Sequence, residues 1–156
     1  MNMQSLFRTL LLGSATTILF ASCKKNEETT PPTPSELLTR SGWKLVKEEE
    51  KQNNGNWVDY TSTIPACEKD DIFLLKTDSK YEVNEGASKC APGNPHIVQE
   101  GGWALVDNNT GIKFNKDFGT VYATEKIELL NESTLILVDT EVIGANTYYT
   151  KFTYGH

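Results

Sequence analysis

The sequence predicts an all-β protein: a small antiparallel up-and-down β-barrel of about eight or nine strands behind a short N-terminal helix. Three observations predict it. From Trp43 onward, apolar residues recur with a period of two instead of the spacing of a helix. Clusters of Asn, Asp, Gly and Ser interrupt that alternation at short, regular intervals, as turns do. Beyond residues 35–40, almost nothing has helical spacing. Tight turns between consecutive strands favour a meander, and a meander of this many strands removes its exposed edges by closing on itself.

The chain begins with a lone Arg8, an apolar run over residues 10–20 and small residues before Cys23. Charged, then apolar, then small is the pattern of a secretory signal, and the run is too short to cross a bilayer. Ala21 and Ser22 ahead of Cys23 resemble the lipobox of bacterial lipoproteins, whose cysteine carries a diacylglycerol on its sulfur; Phe20 stands where that pattern has a leucine, and Leu19 lies one place earlier. The resemblance implies a signal peptide over residues 1–22 and lipidation of Cys23. It also implies a lipid-anchored place in the cell outer membrane, on its periplasmic face or at the cell surface. Residues 23–35 then read as a disordered tether, with nothing apolar after Cys23 to bury and prolines that favour extended backbone. Within it, Lys24-Lys25-Asn26-Glu27-Glu28 resembles the lysine-then-acidic tags that send some lipoproteins to the surface; a plain soluble spacer has the same composition.

Residues 36–156 form the domain, long enough to bury a core. Without Arg8, 14 of the 15 basic residues remain against 21 acidic ones, a net charge of −7. No basic stripe with interleaved aromatics is present, which argues against a nucleic-acid partner. The acidic balance also argues against electrostatic adhesion to anionic lipid, so contact with the membrane runs through the acyl chains on Cys23.

Ser35 is placed to cap one or two helical turns that Gly42 ends. Trp43 and Leu45 then alternate with Lys44 and Val46, and Asn53-Asn54-Gly55-Asn56 is a hairpin turn into Trp57-Val58-Asp59-Tyr60. Ile72-Phe73-Leu74-Leu75 is apolar on both faces, as a central strand is, and Tyr81 and Val83 follow the turn at Asp78-Ser79-Lys80. Residues 86–96 carry Gly86, Pro92, Gly93 and Pro95 and read as a loop. Trp103 and Leu105 lead to a turn at Asp107-Asn108-Asn109-Thr110-Gly111, where a glycine with positive φ is expected, and then to Ile112 and Phe114. Strands over residues 121–130, 135–138 and 148–154 complete the pattern, separated by Asn131-Glu132-Ser133 and Gly144-Ala145-Asn146.

Trp43 opening the first strand, Cys67 leading to Ile72-Phe73, then Tyr81-Glu82-Val83, Gly86, Cys90 and Gly102-Trp103 occur in an order that resembles the lipocalin-like domains of small bacterial lipoproteins. The resemblance extends over residues 37–154 through the Leu- and Tyr-rich C-terminal strands. It implies an antiparallel barrel with an interior pocket and no enzymatic activity.

Cys67 and Cys90 are an even pair in an exported chain, so a disulfide tying the entry of the residue 72–85 hairpin to its exit is expected. No Cys/His or His/His spacing suggests a metal, and no metal or cofactor is expected. Glu68, Asp70 and Asp71 offer oxygens for a hard cation, but a solvated loop end explains them as well. No nucleophile elbow or phosphate loop is present, and no catalytic residue is assigned. The sequons at Asn108 and Asn131 coincide with turns, which use the same residues.

The alternation places Trp43, Phe73, Tyr81, Trp103, Phe114, Tyr148, Phe152 and Tyr154 on one side. These rings either fill the barrel as its core or line a ligand cavity; Trp43, Phe73, Tyr81, Trp103, Phe114, Tyr148 and Phe152 are the candidate ligand contacts. Tyr149, Lys151 and Thr153 fall on the opposite face, a candidate protein-binding surface. The function expected is a non-catalytic binding module for a small apolar or amphipathic ligand. The alternative is a protein-interaction module, an inhibitor or accessory subunit of an envelope complex, acting through barrel-mouth loops.

Overall fold

The computed structural model describes residues 30–116 and 120–156; Cys23, the signal segment and most of the tether lie outside the described residues. Helix α1 spans Pro34–Thr39. Its cap is Thr33, not Ser35: Thr33 and Glu36 form a reciprocal capping box, with the Thr33 N–H donating to Glu36 Oε2 at 2.7 Å and the Glu36 N–H to Thr33 Oγ1 at 3.3 Å. Pro34 at the first helical position has no N–H to leave unpaired, which favours starting the helix there. The helix stops at Thr39, short of Gly42. Gly42 answers to packing instead, because a Cβ there would strike the Ile72 side chain.

Nine strands follow: β1 (Lys44–Gln52), β2 (Val58–Asp59), β3 (Ile72–Leu75), β4 (Lys80–Asn84), β5 (Ile97–Val106), β6 (Gly111–Lys116), β7 (Thr120–Leu130), β8 (Thr134–Ile143) and β9 (Asn146–Gly155). A second short helix, α2 (Ala66–Lys69), precedes β3. All pairings are antiparallel, in the order β2-β1-β9-β8-β7-β6-β5-β4-β3. From β3 to β9 this is the expected up-and-down meander, and β1 returns to pair with β9.

The expected continuous closure is not present as a ladder. The ends of the sheet meet at one residue pair, Trp43 and Phe73, through N–H to carbonyl hydrogen bonds of 2.8 and 2.9 Å. Beyond it the edge of β1 is occupied locally. Tyr60 donates to the Glu48 carbonyl at 2.9 Å, and the Glu48 N–H donates to Thr61 Oγ1 at 3.0 Å. Backbone groups satisfied by a turn are not available to β3. Pro65 at the start of α2 keeps this stretch from becoming a strand.

The turns show two kinds of chemistry. Ile143 pairs directly with Asn146, so Gly144 and Ala145 make a two-residue hairpin, and Gly144 takes φ +63°. Between β5 and β6 the positive φ values fall on Asp107, Asn108 and Asn109, at 52°, 54° and 67°. Asp and Asn tolerate this conformation better than other side chains. Gly111, expected to carry the positive φ, begins β6 in ordinary strand backbone.

The core lies on the concave face. Trp43, Leu38, Ile112 and Leu135 are fully buried, with Leu75, Tyr81, Trp103, Phe114 and Leu137 packed around them. Helix α1 covers one end: Leu38 sits in the core, and the Trp43 indole N–H donates to its carbonyl at 3.0 Å. The His156 ring stacks on Trp43 with centroids 4.0 Å apart, and His156 Nδ1 lies 2.9 Å from the Gly42 carbonyl. One end of the sheet is therefore plugged, and unfilled space lies toward the other.

Candidate ligand cavity

A cavity of ≈ 590 Å³ opens into the concave face. Phe73 is the hub of its aromatic wall. Its ring meets Tyr81 edge-on at 6.0 Å, Phe114 at 5.6 Å and Tyr154 at 5.7 Å, while Tyr81 and Phe114 meet edge-on at 5.3 Å. Edge-to-face packing brings the positive rim of one ring to the negative face of the next. Trp43, Leu45, Ile64, Val83, Leu137 and Phe152 complete the apolar lining, with the exposed Val98 at its edge. Gln99 Nε2 donates to the Tyr81 hydroxyl at 2.9 Å.

Of the seven candidate contacts, Trp43, Phe73, Tyr81, Phe114 and Phe152 line this space. Trp103 and Tyr148 do not. Trp103 is packed into the core, and its indole N–H donates to the Lys76 carbonyl at 3.0 Å. Tyr148 has the right parity but stands at the outer end of β9, opposite Glu141 and Gln52, and is 38% exposed. Alternation assigns a face; it does not say how far along a strand the enclosed volume reaches.

One rim is built by the loop over residues 86–96. Cys67 on α2 and Cys90 in this loop form a disulfide, as expected, with Cα atoms 5.2 Å apart. Asp70 accepts from the Ser88 N–H and hydroxyl, both at 2.9 Å, and Asp71 accepts from the Gly86 N–H at 3.3 Å. Gly86 runs against the Asp70 backbone so closely that any side chain would collide with it. Farther along, Asn94 Nδ2 donates to Glu85 Oε1 at 2.8 Å, and the Glu85 N–H to the His96 carbonyl at 2.8 Å. Asp70 and Asp71 thus act as loop anchors. Among the described residues, no group of three His, Cys, Asp or Glu side chains is arranged to hold a metal ion.

Sequence reasoning missed that carboxylates line the cavity. Glu48, Glu68, Asp71, Glu85 and Glu125 all line the cavity, and none of its described lining residues is Lys, Arg or His. Glu125 is cross-strand partner to the buried Ile112, so it points inward. Its Oε2 is shielded from solvent and has no hydrogen-bond partner among the described residues; the same is true of Glu85 Oε2, on a residue only 3% exposed. Burial, then the charge of Asp139, raises the Glu125 carboxyl to about 7. Burial, then Glu50 and Glu68, raises Glu48. Burial also raises Asp71, opposed by its hydrogen bond from Gly86. The Tyr154 hydroxyl is raised by burial and then by the charges of Glu125 and Glu48. A signal was available: residues 123, 125 and 127 share a strand face, and Ile127 belongs inside.

On the convex face, Tyr149 and Lys151 are not free-standing. Lys151 Nζ lies 4.2 Å from the Trp57 ring centre and 3.2 Å from Glu128 Oε2, and Lys51 Nζ lies between Trp57 at 4.7 Å and Tyr149 at 4.6 Å. These cations cover Trp57 instead of presenting a bare surface.

No family model matches the chain, and no curated protein matches it.

Proposed function

We propose that this protein is a lipid-anchored lipoprotein of the bacterial outer membrane whose lipocalin-like barrel holds a small apolar or amphipathic ligand. The observation that carries the reading is the unfilled ≈ 590 Å³ space walled by Phe73, Tyr81, Phe114, Phe152 and Tyr154. A barrel built only for stability closes its rings on one another, whereas ligand sites are concave, mostly apolar and several hundred Å³ in volume. In this reading the sheet acts as a barrel because α1 plugs one end and the Trp43–Phe73 pair holds its edges together. The rim loop, tied at Cys90, Ser88 and Asn94, keeps the mouth in one shape, which lowers the entropy lost on binding. No nucleophile with an adjacent base is assigned, and the role proposed is carriage or sensing without chemistry.

The test is native mass spectrometry of the protein exported to an oxidising compartment. A co-purified adduct of small-molecule mass, lost when Leu137→Trp narrows the cavity, supports the reading. A bare protein that also fails to bind hydrophobic probes competitively counts against it. The rigid rim loop favours a second reading, in which the mouth docks an envelope protein; a stable partner whose capture survives Leu137→Trp supports that reading instead.

A further inference from the structure

We propose that the ligand of this cavity is a cation: an organic amine whose ammonium meets Glu125 and whose apolar body lies against Phe73, Tyr81 and Phe114. The inference rests on the ligand-holding reading above and adds the charge of what is held.

Three observations carry it. The described lining holds five carboxylates and no basic side chain, so an anionic ligand such as a fatty acid would enter against uncompensated like charge. Two carboxylate oxygens, Glu125 Oε2 and Glu85 Oε2, are buried with no hydrogen-bond partner among the described residues. A neutral apolar ligand would leave them so, whereas an ammonium has three N–H donors to offer. Finally, the wall is aromatic, and the faces of Phe and Tyr rings attract organic cations.

Glu125 on β7 is the best placed acid, because it lines the cavity and its Oε2 is one of the two orphan oxygens. Glu48 on β1 also lines the cavity, as cross-strand partner to Phe152. Glu85 is nearer the rim loop, and its Oε1 is already held by Asn94. An inorganic divalent ion is the weaker occupant, because no three acidic or imidazole groups among the described residues converge on one point. The raised Glu125 carboxyl fits this arrangement, being a buried acid with no counter-charge in the described lining. Binding an ammonium ionises Glu125 and releases its proton to solvent at neutral pH.

The experiment is calorimetric titration of the full-length protein in zwitterionic lipid nanodiscs with phenylbutylamine, phenylbutanol and phenylbutanoate, which share a body and differ in charge. Empty discs give the partition blank. The proposal expects the amine to bind tightest, and Glu125→Gln to weaken the amine by about 10–100-fold, far more than it changes the alcohol. Glu48→Gln should act in the same direction. Proton release on amine binding, read from the buffer dependence of the heat, should vanish in Glu125→Gln. If the alcohol or the carboxylate binds as tightly as the amine, or if both variants bind the amine like the wild type, the charge assignment is overturned while ligand holding stands. If none of the three binds, the cavity reading fails and takes the charge assignment with it.

Discussion

Replacing Glu125 with Gln should make the protein more stable, and by an amount that depends on pH. The carboxyl is raised from 4.5 to about 7, chiefly by burial and then by Asp139. A raised folded-state value means the folded protein prefers the protonated acid. The stabilising preference is therefore fully present below the unfolded value near 4.5 and is lost as pH rises to about 7. At about 1.4 kcal/mol per pKa unit, the ionised side chain costs about 3 kcal/mol above that window. Gln has the same shape and carries no charge at any pH. Urea unfolding of wild type and Glu125→Gln, followed by tryptophan fluorescence with the disulfide intact, measures the difference directly. Near pH ~4 the two proteins should unfold at the same urea concentration; near pH ~8 the variant should be more stable by about 3 kcal/mol. Other raised groups, Glu48 and Asp71 among them, largely cancel in the comparison. A gap that does not change with pH, or a wild type that is the more stable protein at alkaline pH, would refute the burial argument.

Further expectations concern the scaffold and the anchor. Replacing both Cys67 and Cys90 with Ser should cost about 3 kcal/mol by freeing a loop of this length, and thiol titration of the unfolded wild type should find neither cysteine free. Gly101→Ala forces a Cβ into the Asn115 carbonyl across the β5–β6 pair, and should lower stability by about 2 kcal/mol or more in the same urea assay. Trp43→Phe removes the N–H that holds the Leu38 carbonyl; it should cost about 1–3 kcal/mol and expose backbone amides of α1 to faster hydrogen exchange. Cys23→Ser should move the protein from the detergent phase to the aqueous phase on phase partition; unchanged partition would remove lipid from the account of how it reaches a membrane.

By itself, the sequence determined the antiparallel meander, because period-two alternation and turn residues are local properties that act within a few residues of each other. It determined which face of each strand carries Trp43, Phe73, Tyr81 and Phe114, since neighbouring side chains on a strand must point opposite ways. It also paired Cys67 with Cys90, where no other partner remained in the domain. The helix start was legible too, in the Thr33-to-Glu36 spacing, but Ser35 offered a competing cap two residues later. Three matters were decided only in three dimensions. The ladder stays open between β1 and β3 because Tyr60 and Thr61 satisfy the edge of Glu48, a competition between a turn and a distant strand that no periodicity records. Tyr148 and Trp103 stand outside the cavity lining although their parity is right, because Tyr148 lies at the exposed outer end of β9 and Trp103 is packed into the core. And Glu48 and Glu125, two acids among 21, come to line one cavity only when the sheet curves, since β9 and β8 separate β1 from β7 in its order. Charge in a sequence reads as surface by default; burial, which alters what a carboxylate can do, belongs to the fold as a whole.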